Sequence, residues 1–306
     1  MFSVFYYPYY MAPESWYSGH GIYSVTQIYQ SILPFLIQNL IVLRAFFMRN
    51  RQKYLSDKLR PHFTQKLGKC EKDFLSRVFF IIFVRVAKYL WVPDEHSGIF
   101  NSHTAFPELI CSSNDLMFIY YVDLLIEYLD FINCKTQMMR TQKDMIIIKR
   151  RICEIFSLKR KILERYSIDI LITIFYNFIL TIISLYWVIM RLIFRDLEHF
   201  ADYATFLHFP EPMFIFWILF SRCEKFYAKI QEIELNLHMK NANFKKLESI
   251  FILLNSIESK FIICGMIFMK VETLTDMFSA IMDFFVMMVQ LFSVDPHEIK
   301  EPKEKE

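Results

Sequence analysis

The stretch that decides the fold is residues 261–292, FIICGMIFMKVETLTDMFSAIMDFFVMMVQLF. Two apolar pieces in it are joined by a polar hinge at residues 270–276. The first piece is too short to cross a bilayer, whereas residues 277–292 are just long enough if Asp283 is accommodated near the middle. Because a charge at that depth is costly in lipid, Asp283 is expected to face protein or a water-filled path. The stretch therefore predicts a membrane helix with a polar environment along one side.

The composition places the rest of the chain around that helix. Of the 306 residues, 55% are hydrophobic and 18% are aromatic, which is too apolar for an ordinary soluble domain. The chain has only five glycines, and none of them forms a phosphate-binding loop. No cofactor is therefore predicted.

Neither the cysteines nor the histidines form a recognisable site. The six cysteines lack the C-x-x-C spacing of metal sites, and only Cys111 is expected near the outer face, so a disulfide framework is not predicted. The eight histidines are scattered, without H-x-x-x-H or Ser-His-Asp spacing. The sequence therefore predicts no metal site, no catalytic residues and no enzyme activity.

Hydropathy predicts six membrane spans, within an overall expectation of six to seven. The aromatic residues 1–21 are expected at the membrane interface, and the mixed-charge tail 293–306 is expected to be flexible. The predicted spans are residues 22–43, 74–91, 116–132, 171–190, 204–220 and 277–292.

The distribution of basic residues predicts the orientation. Nine Lys or Arg lie in residues 44–72 and ten in residues 135–165, whereas none lies between Lys88 and Lys135. Because basic loops stay on the cytoplasmic side, the first 43 residues and the C-terminus are predicted outside. A nucleic-acid partner is the poorer explanation for basic loops that adjoin membrane spans.

Two charged segments carry apolar residues at helical spacing, which predicts helices that extend below the membrane. The segment at 135–165 is expected to continue the third span, and the one at 222–247 to offer a seam to a partner helix. The apolar positions are Met145, Ile148, Ile152 and Ile155 in the first, and Phe226, Ile230, Ile233 and Leu237 in the second.

Three acidic residues, Asp123, Glu127 and Asp130, share one face of the third span. Such a face either binds a cation or an amine, or is the polar side of a helix that emerges into the cytoplasm. The spacing alone leaves both interpretations open.

These observations predict an all-α fold, a polytopic membrane helix bundle with long cytoplasmic helix extensions and a split last helix. Residues 1–260 would form the bundle. Residues 261–292 would form a half-helix at 261–268 followed by a membrane helix at 277–292, and residues 293–306 the tail.

The C-terminal motif has the sequence Ile263-Cys264-Gly265, then Thr273-Leu274, then Gln290-Leu291. In its Cys-Gly pair, its glutamine and their separation it resembles the insect gustatory receptor family and the related odorant receptors. Asp283 and Phe284 stand where that family has Thr-Tyr, and Leu291 stands where it has Phe. The family has seven spans and a cytoplasmic N-terminus, so its first span would fall at or before residues 1–21.

The resemblance implies a subunit of a tetrameric, ligand-gated cation channel in the plasma membrane, with a small tastant-like ligand and with identical or related subunits as partners. The pore and gate residues would be Asp283, Met287 and Gln290, although ordinary helix packing is the alternative for Met287. The helix extensions would anchor the subunits together. Candidate ligand-pocket residues, each of which is also explained by simple packing, are Tyr120, Tyr121, Tyr176, Trp187 and Trp217.

Two other interpretations stay open. A divergent relative would keep the fold without a taste or channel role, as the altered Thr-Tyr pair and the short N-terminus suggest. A transporter or a membrane enzyme is disfavoured, because the sequence shows neither an internal repeat nor a convergent catalytic set.

Overall fold

The computed structural model describes residues 36–59, 67–90, 98–139, 141–194, 210–240, 248–256 and 259–293, and these are mostly helical. A short antiparallel hairpin lies near the C-terminal end. In chain order the elements are α1 (Leu36–Phe47), α2 (Arg49–Leu59), α3 (Leu67–Leu90), α4 (Gly98–Gln137), α5 (Gln142–Phe194), α6 (Pro210–Lys240), α7 (Glu248–Leu254), β1 (Ile262–Ile263), β2 (Ile267–Phe268) and α8 (Val271–Ser293).

Three long helices form the centre of the molecule. α4 packs against both α5 and α6, and the main hydrophobic core lies among them. With 40, 53 and 31 residues, they span about 60, 80 and 46 Å at 1.5 Å per residue. The hydrocarbon core of a bilayer is only about 30 Å thick. Each central helix is therefore long enough to cross a membrane and continue beyond it.

The apolar residues of the two charged segments, at 145–155 and 226–237, form two seams inside this core. The amphipathic helix predicted for the first segment and the seam predicted for the second are both confirmed. All eight side chains are at most 5% exposed, and Phe226, Ile233 and Leu237 are fully buried. Both seams lie beyond the predicted spans, where water is the competing solvent. Burial there is favourable by about 1.5–3 kcal/mol for each large apolar side chain, as an upper estimate.

The prediction that residues 135–165 continue the third span is wrong, because α4 ends at Gln137 and α5 begins at Gln142. The Thr141 hydroxyl accepts a hydrogen bond from the Asp144 N–H at 3.2 Å, and the Asp144 carboxylate accepts one from the Thr141 N–H at 2.9 Å. This reciprocal cap starts a new helix. The basic extension therefore belongs to the helix of the fourth predicted span.

The predicted spans lie within helices wherever the structure describes them. Within the described residues, the stretch Leu109–Gln137 of α4 is long and apolar enough by itself to cross a membrane, and Leu36–Phe47 is a shorter apolar helix. Residues 22–35, 91 and 204–209 of three predicted spans lie outside the described residues, as do the predicted interfacial segment 1–21 and residues 294–306 of the predicted tail.

The predicted half-helix at residues 261–268 is wrong, because these residues form the β1–β2 hairpin, with Ile263 paired to Ile267. Cys264 and Gly265 have φ angles of 51° and 72°, and the Met266 N–H donates to the Ile263 carbonyl at 2.9 Å. Positive φ at both central positions is the pattern of a type I′ turn, which joins two strands tightly. The short helix α7 precedes the hairpin, and α8 follows it.

The hairpin is held by buried side chains at both ends. Phe261 and Met269 are each 1% exposed, and the Met269 N–H donates to the Phe261 carbonyl at 2.9 Å. The Phe261 ring contacts Phe118 of α4 and Phe226 of α6. The Lys159 ammonium of α5 donates to the carbonyl of Lys260 at 2.9 Å. The hairpin therefore fixes the start of α8 against all three central helices.

Candidate functional site

The last helix begins earlier than the sequence predicts. The polar hinge expected at residues 270–276 is helical from Val271 onward, so that prediction is wrong. Glu272 lies in the first turn, where a negative charge favours the helix dipole. A hydrogen bond from Lys270 lowers the pKa of the Glu272 carboxyl. The N–H of Val271 donates to the Glu224 carboxylate of α6 at 3.3 Å. These contacts explain why a polar segment continues the helix.

One face of α8 packs against the protein. Leu274 and Ile281 are at most 5% exposed, and Met277 and Phe278 are partly buried against the main core. The partners of this face are α5 and α6. α8 is therefore attached to the central helices along one side.

The opposite face of α8 is exposed, and polar residues recur along it. Asp276, Asp283 and Gln290 are exposed and follow one another at intervals of seven residues, or about two helical turns. We call these three residues the polar stripe. Met287 lies on the same side between Asp283 and Gln290, and 45% of its surface is exposed. The structure therefore brings all three predicted pore residues to one exposed face.

The surroundings of the polar stripe are apolar. Met282, Phe284 and Val286 are between 36% and 51% exposed. Within the described part of the chain, no ion pair or hydrogen bond engages the Asp283 side chain. A carboxylate among exposed apolar side chains fits a membrane only if this face meets protein or water.

The chain has the fold of an insect olfactory receptor. Its structure is similar to that of the insect olfactory receptor OR5 from Machilis hrabei, with a TM-score of 0.68 over 90% of this chain and 83% of that chain. Only 11% of the aligned residues are identical, so the likeness concerns the fold. No family model and no curated protein matches the sequence.

This likeness confirms the predicted fold class, an all-α polytopic membrane helix bundle.

The acidic face of α4 is engaged by basic residues of neighbouring helices. The Asp123 carboxylate accepts a hydrogen bond from Arg77 of α3 at 2.7 Å and lies 3.4 Å from Arg222 of α6. Asp130 pairs with Lys229 of α6 at 2.9 Å. The two acids therefore join α4 to α3 and α6. These contacts favour the structural interpretation of the face over a cation or amine site.

The predicted pocket aromatics whose side chains the structure describes lie on three helices, α4, α5 and α6. Tyr120 and Tyr121 lie side by side on α4, where Tyr120 contacts Phe74 of α3. Tyr176 is 5% exposed in a separate small cluster with Ile37, Ile41 and Cys111. Trp217 is 54% exposed on α6. The side chain of Trp187 lies outside the described residues.

Sequence reasoning missed Glu224, because no local motif links it to Val271, 47 positions later. The hairpin had a usable signal. Cys264-Gly265 follows two isoleucines and precedes Met266-Ile267, and a glycine between short β-branched runs is typical of a tight turn.

Proposed function

We propose that this chain is a gustatory-receptor-like chemosensory receptor, a subunit of a tetrameric, ligand-gated cation channel of the insect gustatory and odorant receptor superfamily. The observation that carries the proposal is the polar stripe on the exposed face of α8. The receptor fold and the Cys-Gly and Gln motif of the C-terminus support it. In this proposal the protein lies in the plasma membrane with its C-terminus outside.

Four copies would turn the stripe of each α8 toward one axis. The polar side chains would then line water, and the apolar flanks would meet neighbouring subunits. This arrangement removes the cost of a carboxylate in lipid, because Asp283 no longer faces hydrocarbon. A ring of carboxylates favours cations over anions in such a path.

Gating would follow from the residues after Asp283. A ring of Met287 side chains is apolar, and a narrow apolar constriction loses its water and stops conduction. One turn further, the Gln290 amides replace part of the hydration shell of an ion. A small tastant-like molecule bound among the middle spans in the outer half would shift the balance between closed and open states.

The experiment is a current recording from cells that express the chain, alone and together with related receptor subunits, against a panel of tastants. The proposal expects a cation current that depends on one class of compound. A panel that evokes no current in either setting, with the protein present at the cell surface, would contradict the channel role.

Absence of current would favour the alternative function, a divergent relative that keeps the fold without a taste or channel role. Asp283 and Phe284, which replace the Thr-Tyr pair of the family, are the observation behind that alternative.

A further inference from the structure

The start of α8 is capped by a residue of another helix. The first N–H groups of a helix have no partner within the helix, and a side chain just before the helix usually accepts from one of them. Here the Glu224 carboxylate of α6 accepts from the Val271 N–H at 3.3 Å. The residue before the helix, Lys270, has no acceptor in its side chain, and its ammonium donates to Glu272. The cap of the last helix therefore depends on where α6 lies.

The other side of α6 is tied to α4 and α3. Arg222 lies 3.4 Å from the Asp123 carboxylate, which also accepts a hydrogen bond from Arg77 at 2.7 Å. Arg222 and Glu224 are two positions apart, so they point to different sides of the helix. Arg222 thus links α6 to α4, whose Asp123 also holds α3, and Glu224 links α6 to α8.

We propose that Glu224 is a positioning residue that couples the helix bundle to the last helix, so that a displacement of α6 relative to α4 changes the order and orientation of the start of α8. The purpose of this coupling rests on the proposed function, in which α8 is the pore helix. Apolar contacts tolerate sliding, whereas a hydrogen bond is lost once donor and acceptor separate beyond about 3.5 Å. A cap in trans is thereby suited to a two-state link between the elements.

The test is amide hydrogen exchange of the full chain in lipid nanodiscs. Glu224→Ala should raise the exchange rate of residues 271–275 by about threefold or more, because removing a cap favours opening of the first turn. Glu224→Gln, which keeps an acceptor oxygen, should raise it less. Asp123→Asn should also raise it, although Asp123 does not touch α8, because it weakens the hold on Arg222. Exchange in residues 226–233 should stay unchanged in all three variants, which verifies that α6 is folded.

Glu234→Ala is the matched control, since Glu234 lies on α6 but pairs with Asn255 at 2.6 Å rather than with α8. It should leave exchange at 271–275 unchanged. If Glu224→Ala leaves that segment as protected as in the wild type, the cap has no role and the proposal is wrong. If only Glu224→Ala acts and Asp123→Asn does not, the cap is local and the coupling is wrong.

Cation flux measured on the same wild-type protein in liposomes separates the two proposals. The flux is measured with and without the tastant panel, for the chain alone and together with related subunits. A lack of flux under all of these conditions would overturn the channel function while leaving the exchange result to decide the coupling.

Discussion

Asp169 of α5 accepts a hydrogen bond from Arg44 at the end of α1, with the Nη1 and Oδ1 atoms 2.9 Å apart. The Asp169 side chain is fully buried, and its second oxygen accepts from Arg165 one turn earlier on α5 at 2.5 Å. Arg44 also donates to the carbonyl oxygens of Glu164 and Arg165 at 3.3 Å. A single carboxylate therefore pairs with two arginines and fastens α1 to α5.

The first prediction is that Asp169→Ala strongly destabilises the protein. It leaves Arg165 buried without its anion, and breaking a buried pair in this way costs about 3–5 kcal/mol. Arg44→Met should cost less, because the Arg165–Asp169 pair survives. The measurement is the thermal unfolding midpoint of the detergent-solubilised protein. Glu272→Ala, which removes an exposed ion pair and one favourable charge at the start of α8, is the control and should lower the midpoint by much less. Equal midpoints for Asp169→Ala and Glu272→Ala would refute the role of this cluster.

The second prediction concerns ion selectivity. Asp283→Asn removes the charge on the exposed face of α8 and keeps the size of the side chain. We expect the cation conductance to fall at low ionic strength, on the order of tenfold, since a ring of like charges concentrates counter-ions. The effect should shrink in high salt, where the charge is screened. Conductance recorded at low and high ionic strength measures this fall, and reversal potentials in asymmetric salt measure the cation selectivity. Asp144→Asn in the cap of α5 is the control. Unchanged selectivity in Asp283→Asn would place this residue outside the pore.

The third prediction separates gate from filter. Met287→Ala widens the apolar constriction and should raise the current in the absence of ligand. Gln290→Ala should instead lower the single-channel conductance, because the ion loses a polar partner. Val286→Ala, also at an exposed position and adjacent along the helix, should change neither quantity. The idea of separate roles fails if Met287→Ala and Gln290→Ala alter the same quantity in the same direction.

The fourth prediction concerns the turn of the hairpin. Gly265 has a φ of 72°, and an added Cβ would meet no atom within 4 Å. Gly265→Ala should therefore cost only backbone strain, about 1–2 kcal/mol. Cys264→Ala is the matched control, because Cys264 is exposed and already has a Cβ at a φ of 51°. Thermal unfolding midpoints compare the two variants. A larger fall in the midpoint for Cys264→Ala than for Gly265→Ala would contradict the assignment of the backbone strain to position 265.

The parts of the fold that follow from periodicity could be predicted from the sequence. The spacing around Ile152 predicts the apolar face of an amphipathic helix and that around Ile233 predicts a seam, and both side chains are fully buried. Asp283 alone predicts a polar side of α8, since a charged side chain in a membrane helix must face protein or water rather than lipid. Each of these predictions depends only on residues within one segment of the sequence.

Contacts between distant segments could not be predicted in the same way. Whether residues 135–165 extend the third or the fourth span depends on the Thr141–Asp144 cap, which is weaker as a sequence signal than the apolar spacing around it. The hinge expected at 270–276 is helical because Glu224, 47 positions before Val271, accepts its N–H. Charged pairs such as Arg77 with Asp123 likewise become visible only when the helices are assembled.

The central claim is that the exposed face of α8 lines a pore at the axis of a tetramer. The most direct measurement is a structure of the purified chain in lipid nanodiscs by single-particle electron cryomicroscopy. The claim predicts four chains around one axis, with Asp283, Met287 and Gln290 facing it. A monomer, or an oligomer in which these three side chains point away from the axis, would contradict it.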